Sequence, residues 1–261
     1  SLVVIMPLAI FLSVVEVAFY NIPLDVSYSA AYATNTAKLL LVFLLGISVF
    51  YIGEAMHRDR EARIEPVLWA APAPNNVLLL SKFLATVLLM CGLIFTVGIA
   101  ALVIQVLRNH TPIDLLAYVR VYGFILLPST IFVTAVAVLA NIALRNKHVA
   151  YVFSIGTAAA LFYLYSNGYN QWLYNPMLYQ LWNYPDLTGN GNNQSIILIH
   201  RIYCLAASVA FLSLAHILFQ RKSTRGVRMD GHLTDRGRSI LLALVSLTTA
   251  IGTGWIISSR Q

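Results

Sequence analysis

The amino-acid sequence predicts an all-α, polytopic membrane protein with six or seven spanning helices. Of its 261 residues, 59% are apolar and only 10% are charged. Soluble globular domains hold about 25% charged residues, so this chain lacks the polar surface that a soluble protein needs. The apolar residues also fall into long runs, and a helix of about 20 apolar residues crosses the hydrocarbon core of a bilayer.

Seven apolar runs are long enough, or nearly so, to span a membrane. They cover residues 2–20, 37–56, 77–106, 121–144, 149–165, 199–219 and 239–258. Pro128 should kink the fourth run, where Ser129, Thr130 and Thr134 can hydrogen-bond the backbone groups that the proline leaves unpaired. We therefore expect three parts. They are a six-span domain (1–220), a basic cytoplasmic loop (221–238) and a seventh span (239–261).

The basic residues predict an orientation for these spans. The chain carries a net charge of +7. With the N-terminus inside, twelve Lys and Arg residues fall on the cytoplasmic side and five on the far side, an asymmetry that usually sets orientation. The five are Lys38, Arg108, Arg120, Arg201 and Arg260. Because the charges separate apolar runs, they indicate membrane orientation rather than binding to nucleic acid.

The segment between the second and third spans carries the main functional signal. It reads GEAMHRDREARIEPVLWAAPAPNNVLLLSK over residues 53–82. Its apolar stripe consists of Ile64, Val67, Leu68 and Ala71. This spacing predicts a short amphipathic helix at 57–73, which Pro72 and Pro74 would end, at the cytoplasmic surface. The pattern alone favours an interfacial anchor over a docking element, because amphipathicity does not specify a partner.

The same segment resembles the cytoplasmic loop of type-2 ABC exporter permeases. Acidic and arginine residues, an apolar turn, an A-x-P-x-P motif and a lysine in the next span carry the resemblance. More narrowly, it looks like the second permease half of bacterial ABC permeases that are fused to a zinc aminopeptidase-like domain. Three further stretches fit that subfamily: NKH at 146–148, YPDLTGNG at 184–191 and GTGWII at 252–257.

The resemblance implies a permease component of an ATP-driven exporter in the bacterial cytoplasmic membrane. Such a chain works by alternating access, together with an ABC ATPase subunit and a second permease half or a second copy of itself, among membrane lipids. The residues that it implies for ATPase coupling are Arg60, Glu61, Arg63, Glu65, Pro72 and Pro74. It also implies that the seventh span leads into an extracytoplasmic domain beyond Gln261.

Two catalytic motifs are missing from the sequence. It contains no G-x-x-x-x-G-K-[ST], the loop that cradles nucleotide phosphates, and no H-E-x-x-H, the zinc motif of metallopeptidases. We therefore expect ATP and Mg²⁺ on the partner ATPase, and neither a cofactor nor a catalytic residue in this chain.

Three residues outside the loop are candidates for a substrate pathway. Glu16 falls in the first span, where a carboxylate costs about 2.5–3.5 kcal/mol at a helix centre and is a functional candidate by default. Water near the outer boundary weakens that argument. Trp172 and Trp182 belong to an aromatic outer loop at 166–197. Such aromatics are more typical of an interfacial belt or a lid than of direct substrate contact.

Two other kinds of function are compatible with the sequence. One is an integral membrane enzyme with a site at Glu16 and the aromatic loop, which would need polar groups that converge within the membrane. The other is a structural subunit of a larger complex that transports nothing. Copurification with an ATPase subunit distinguishes an exporter from both.

Overall fold

The computed structural model describes residues 28–62, 75–144, 146–169, 194–219 and 230–259, together with seven helical residues between Pro7 and Val15. Within these residues the protein is all-helical, and six helices are long and apolar enough to cross a membrane. The prediction of an all-α, polytopic membrane protein is therefore confirmed. Six of the seven predicted spans are present, and the run at 2–20 lies largely outside the described residues.

Eight helical elements follow one another along the described chain. They are α1 (Tyr28–Glu61), α2 (Asn75–Leu107), α3 (Leu115–Val119), the π-helical segment π1 (Arg120–Leu126), α4 (Leu127–Leu144), α5 (Lys147–Ser166), α6 (Gln194–Leu218) and α7 (Asp230–Ser258). The elements α3, π1 and α4 form one continuous span.

Successive spans run in opposite directions, so the bundle has two ends. Ser29, at the start of α1, contacts the loop between α2 and α3 through the backbone of Asp114. At the opposite end of the bundle, the hydroxyl of Tyr151, near the start of α5, contacts Glu54, near the end of α1. We call these the Ser29 end and the His57 end.

The third span forms the centre of the bundle. Helix α4 packs against α1, α2, α5 and α6, whereas α7 packs mainly against α6. Small residues of α4, among them Ala135 and Ala137, are buried against the leucines of α1. Small side chains let helix backbones approach closely, which is the main source of packing energy between membrane helices.

Two helices are longer than the apolar runs that predicted them. Helix α1 has 34 residues, or about 50 Å of helix, and begins at Tyr28 rather than at 37. The added stretch is rich in alanine, which has the highest helix propensity but adds little hydropathy. The helix also includes residues 57–61, the beginning of the predicted amphipathic helix. Helix α7 likewise begins at Asp230, inside the predicted basic loop at 221–238.

Pro128 lies directly after the π-helical segment. Proline cannot donate a backbone hydrogen bond, and its ring collides with the carbonyl four residues earlier in a regular helix. The wider π-turn before Pro128 accommodates both effects, because Leu127 N–H bonds to the carbonyl of Tyr122, five residues back. Ser129 Oγ donates to Ile125 O at 2.9 Å. The carbonyl four residues before Pro128 is that of Phe124, so the predicted role of Ser129 at the proline stays a prediction.

One close contact joins α1 and α5 near the His57 end. Gly53 has no room for a side chain, because the ring of Tyr151 occupies the space that a Cβ atom would fill. The Tyr151 hydroxyl also lies 3.4 Å from Glu54 Oε1. The glycine thus allows the two helices to meet just before the charged segment of α1.

Candidate functional site

Most of the predicted functional residues lie outside the described part of the chain. Arg60 and Glu61 form the last turn of α1, although their side chains are not described. The other predicted residues, all outside the described ranges, are Arg63, Glu65, Pro72, Pro74, Glu16, Trp172 and Trp182. Their proposed roles therefore stay predictions, and the site below is built from other side chains.

Arg201 is a buried cation within a membrane-spanning helix. It lies in α6, seven residues after Gln194, and is only 4% exposed, so its predicted place on the far side of the membrane stays a prediction. Lys38 and Arg120 also lie within helices, in α1 and π1. The apolar run around Arg201 extends to both sides of it, and one charge did not prevent the helix from forming through it.

Among the described residues, one hydrogen bond holds the guanidinium group of Arg201. Its Nη1 atom donates to Ser129 Oγ of α4 at 3.1 Å. Ser129 is fully buried near the middle of the third span, and its hydroxyl proton is directed to Ile125 O. Cys204, one turn after Arg201, donates its thiol to Pro128 O at 3.6 Å. Pro128 and the guanidinium of Arg201 therefore lie at one contact between α4 and α6.

No carboxylate pairs with Arg201 among the described residues. Its Nε atom is buried and has no acceptor there, and Ser129 is the only hydrogen-bond partner of the guanidinium in those ranges. A buried charge without a counter-ion is costly. Such a group is suited to binding an anion that supplies the missing charge.

A second polar site, at the Ser29 end, has all its hydrogen bonds. The Gln105 cluster consists of Ser29, Gln105, His110, Asp114 and Tyr118. Gln105 Nε2 donates to Ser29 Oγ at 3.0 Å and to the His110 carbonyl at 2.9 Å. Its Oε1 accepts from the Tyr118 hydroxyl at 2.8 Å and from Ser29 at 3.2 Å. One amide thus uses both donors and both acceptor positions to join α1, α2 and α3.

Aromatic side chains extend this cluster along α1. The His110 ring stacks on Tyr28 with a centroid distance of 4.4 Å, and its Nδ1 lies 3.0 Å from the Tyr32 hydroxyl. One turn further, Thr36 Oγ1 lies 2.6 Å from the buried Tyr122 hydroxyl of π1. These contacts fasten the first turns of α1 to the loop at 108–114 and to the third span.

Some of these residues could have been found from the sequence, but their pairing could not. Gln105 and Arg201 both interrupt apolar runs, and polar residues within such runs are functional candidates by default. Ser29 and Thr36 carried no such signal, because they precede the apolar run that predicted the second span. Among the described residues, no group of three or more His, Cys, Asp or Glu side chains could hold a metal ion.

Comparison of the chain with known protein families, with curated proteins and with solved structures finds no match.

Proposed function

We propose that the chain is the permease component of an ATP-driven exporter of the type-2 ABC class, which moves its substrate by alternating access. The continuity of α1 carries this proposal. One helix of 34 residues joins the Gln105 cluster at the Ser29 end to the charged sequence HRDRE at the other end. A displacement at Glu61 is therefore transmitted along a rigid element to the opposite face of the bundle.

The proposed orientation places the His57 end in the bacterial cytoplasm and the N-terminus inside. The basic residues around α1, α5 and α7 at that end support it, because positively charged loops stay on the cytoplasmic side. Twelve Lys and Arg residues fall on that side in this orientation and five on the far side.

The energy for transport comes, in this proposal, from a separate ATPase subunit that binds Mg²⁺ and ATP. Its docking site is the segment after α1, with Arg60, Glu61, Arg63, Glu65, Pro72 and Pro74 as coupling residues. A second permease half, or a second copy of the chain, completes the transport pathway.

Charge reversal at Glu61 and Glu65 tests the docking role. The full chain is purified from its native membrane in a mild neutral detergent, and the ATPase subunit that copurifies is quantified together with its ATP hydrolysis. Like charges in place of complementary ones weaken association more than folding. The double variant Glu61→Arg, Glu65→Arg should insert normally, with a free energy of unfolding within about 0.5 kcal/mol of the wild type. It should lose the ATPase subunit and the ATP hydrolysis.

Arg238→Glu is the matched control, since Arg238 is an exposed charge in α7 on the same side of the membrane. This variant should retain the ATPase subunit. If the double variant keeps both association and ATP hydrolysis, the segment is only an interfacial anchor. If no ATPase subunit copurifies with the wild type, the chain is a structural subunit or an enzyme instead.

A further inference from the structure

One edge of the Arg201 guanidinium has no acceptor in the described part of the chain. Nη1 donates to Ser129, while Nε is buried without a partner. Nε and the second amino group, Nη2, form the side-on edge of the group, and neither has an acceptor among the described residues. Two parallel N–H groups at such an edge match two oxygens of a carboxylate or a phosphate.

The position of Ser129 fixes the direction of this edge. Ser129 Oγ accepts from Arg201 Nη1 and donates to Ile125 O. It holds Nη1 in place and leaves the Nε–Nη2 edge for a ligand. Arg201 is thus oriented by α4 although it belongs to α6.

Two partly exposed apolar side chains lie near Arg201 on α6. Leu198 and Leu205, three residues before it and four residues after it, share its side of the helix. They are 48% and 38% exposed. A ligand with its charged group at the guanidinium would therefore extend its remaining atoms over an apolar surface. This arrangement fits an amphiphile better than a small inorganic ion.

We propose that the Arg201 edge binds the phosphate or carboxylate group of an anionic amphiphile at the contact between α4 and α6. This inference rests on the proposed export function in one respect: in an exporter, the anionic amphiphile would be the cargo. A resident anionic lipid has the same chemistry and would occupy the same edge. Binding removes the uncompensated charge from the interior, which is the physical reason for the site.

Ligand-induced stabilisation of the full chain tests the site. The purified protein in a neutral maltoside detergent is titrated with dodecyl phosphate, and its thermal unfolding is followed. A ligand that binds only the folded state raises the unfolding temperature as its concentration exceeds its Kd. The wild type should be stabilised by dodecyl phosphate and not by dodecyltrimethylammonium, which has the same chain and the opposite charge.

Three variants separate the charge from the fork geometry. Arg201→Met removes both and should weaken binding of dodecyl phosphate by roughly 10-fold or more, since hydrogen bonds to charged groups contribute about 1.5–3 kcal/mol. Arg201→Lys keeps a point charge without the planar edge, and Ser129→Ala keeps the arginine without its support. Both should bind more weakly than the wild type and more tightly than Arg201→Met. Arg238→Met, an exposed arginine in α7, is the matched control and should bind like the wild type.

Two results would overturn the site. The first is that dodecyl phosphate stabilises the wild type and Arg201→Met equally. If Arg201→Met does not fold, the same comparison is made between the wild type and Arg201→Lys. The second is recovery of the folded yield of Arg201→Glu by Glu16→Arg. That rescue would show that a carboxylate of this chain is the counter-ion, and an internal ion pair leaves no edge for a ligand.

Reconstitution separates cargo from resident lipid and separates this inference from the proposed function. If the ligand is cargo, dodecyl phosphate should increase ATP hydrolysis of the copurified complex in vesicles of phosphatidylethanolamine and phosphatidylcholine. Arg201→Met should abolish this increase. A resident lipid predicts instead that phosphatidylglycerol competes with dodecyl phosphate without stimulating ATP hydrolysis. Binding at Arg201 in a chain that has no ATPase partner supports the site and refutes the exporter. Stimulation that is unchanged by Arg201→Met supports the exporter and refutes the site.

Discussion

The Gln105 cluster and the Arg201 contact both place polar side chains between helices of one bundle, yet their hydrogen bonding differs. In the Gln105 cluster, one buried amide makes four hydrogen bonds that join α1, α2 and α3. At the Arg201 contact, a buried cation makes one hydrogen bond, to Ser129, among the described residues. Both groups are almost inaccessible, so exposure to water does not explain the difference.

This difference distinguishes a structural contact, which holds helices together, from a binding site. A fully satisfied polar network in a low-dielectric environment holds its helices in one arrangement, because every displacement leaves a group unpaired. A partly satisfied charge has the opposite property, since the folded chain alone does not compensate its cost. We infer that the Gln105 cluster stabilises the fold. The Arg201 contact instead lowers the stability of the ligand-free protein and binds a ligand. Three substitutions test this comparison.

The largest effect is expected for Gln105→Leu. Leucine keeps the approximate volume but removes the amide that bonds the Ser29 and Tyr118 hydroxyls and the His110 carbonyl. Each buried group that loses its partner costs about 1–3 kcal/mol, so the free energy of unfolding should fall by about 2–4 kcal/mol. Denaturation by titration of dodecyl sulfate against a mild detergent measures this change.

Thr96→Ala is the control for this substitution, because Thr96 lies on the exposed side of α2 and bonds only within its own helix, to Gly92 O. It should change the free energy of unfolding by at most about 0.5 kcal/mol. A loss at Gln105 no larger than the loss at Thr96 would show that the cluster does not fasten the three helices.

A smaller effect is expected for Thr36→Val, which removes the partner of the Tyr122 hydroxyl. The cost should be about 1 kcal/mol, as is typical of hydrogen bonds between membrane helices. Because both variants break the same bond, Tyr122→Phe combined with Thr36→Val should cost less than the sum of the two single variants. Strict additivity in this double-mutant cycle would place the two hydroxyls in separate interactions.

The smallest effect, with the opposite sign, is expected for Arg201→Met without added anion. Methionine fills a similar volume and removes a buried charge that only Ser129 partners among the described residues. Replacing buried charges by apolar groups is often neutral or stabilising, so the free energy of unfolding should stay unchanged or rise by about 1 kcal/mol. A loss of unfolding free energy comparable with that of Gln105→Leu would show that Arg201 also holds helices together, with partners beyond the described residues.

Much of the architecture follows from local properties of the chain. Low charge content and long apolar runs predicted a helical membrane protein, and six of the predicted spans are present in the described residues. Hydropathy is a sum over neighbouring residues, so it is readable along the sequence. The π-helical segment is local as well, since it lies directly before Pro128.

The polar sites depend on contacts that no local property contains. Ser29 and Gln105 are 76 residues apart, Thr36 and Tyr122 are 86 apart, and Ser129 and Arg201 are 72 apart. The start of α1 was missed for a related reason. Its serine, threonine and alanine residues add little hydropathy, and they are buried in the structure against α2 and the third span.

The sequence by itself therefore determined the class of protein and six spans within the described residues. Only the tertiary structure decided that Arg201 is buried against α4 and that the Gln105 amide has its full set of partners. The physical reason is that a helix forms from its own backbone hydrogen bonds, whereas a polar side chain is satisfied or left unsatisfied by whichever helix packs against it.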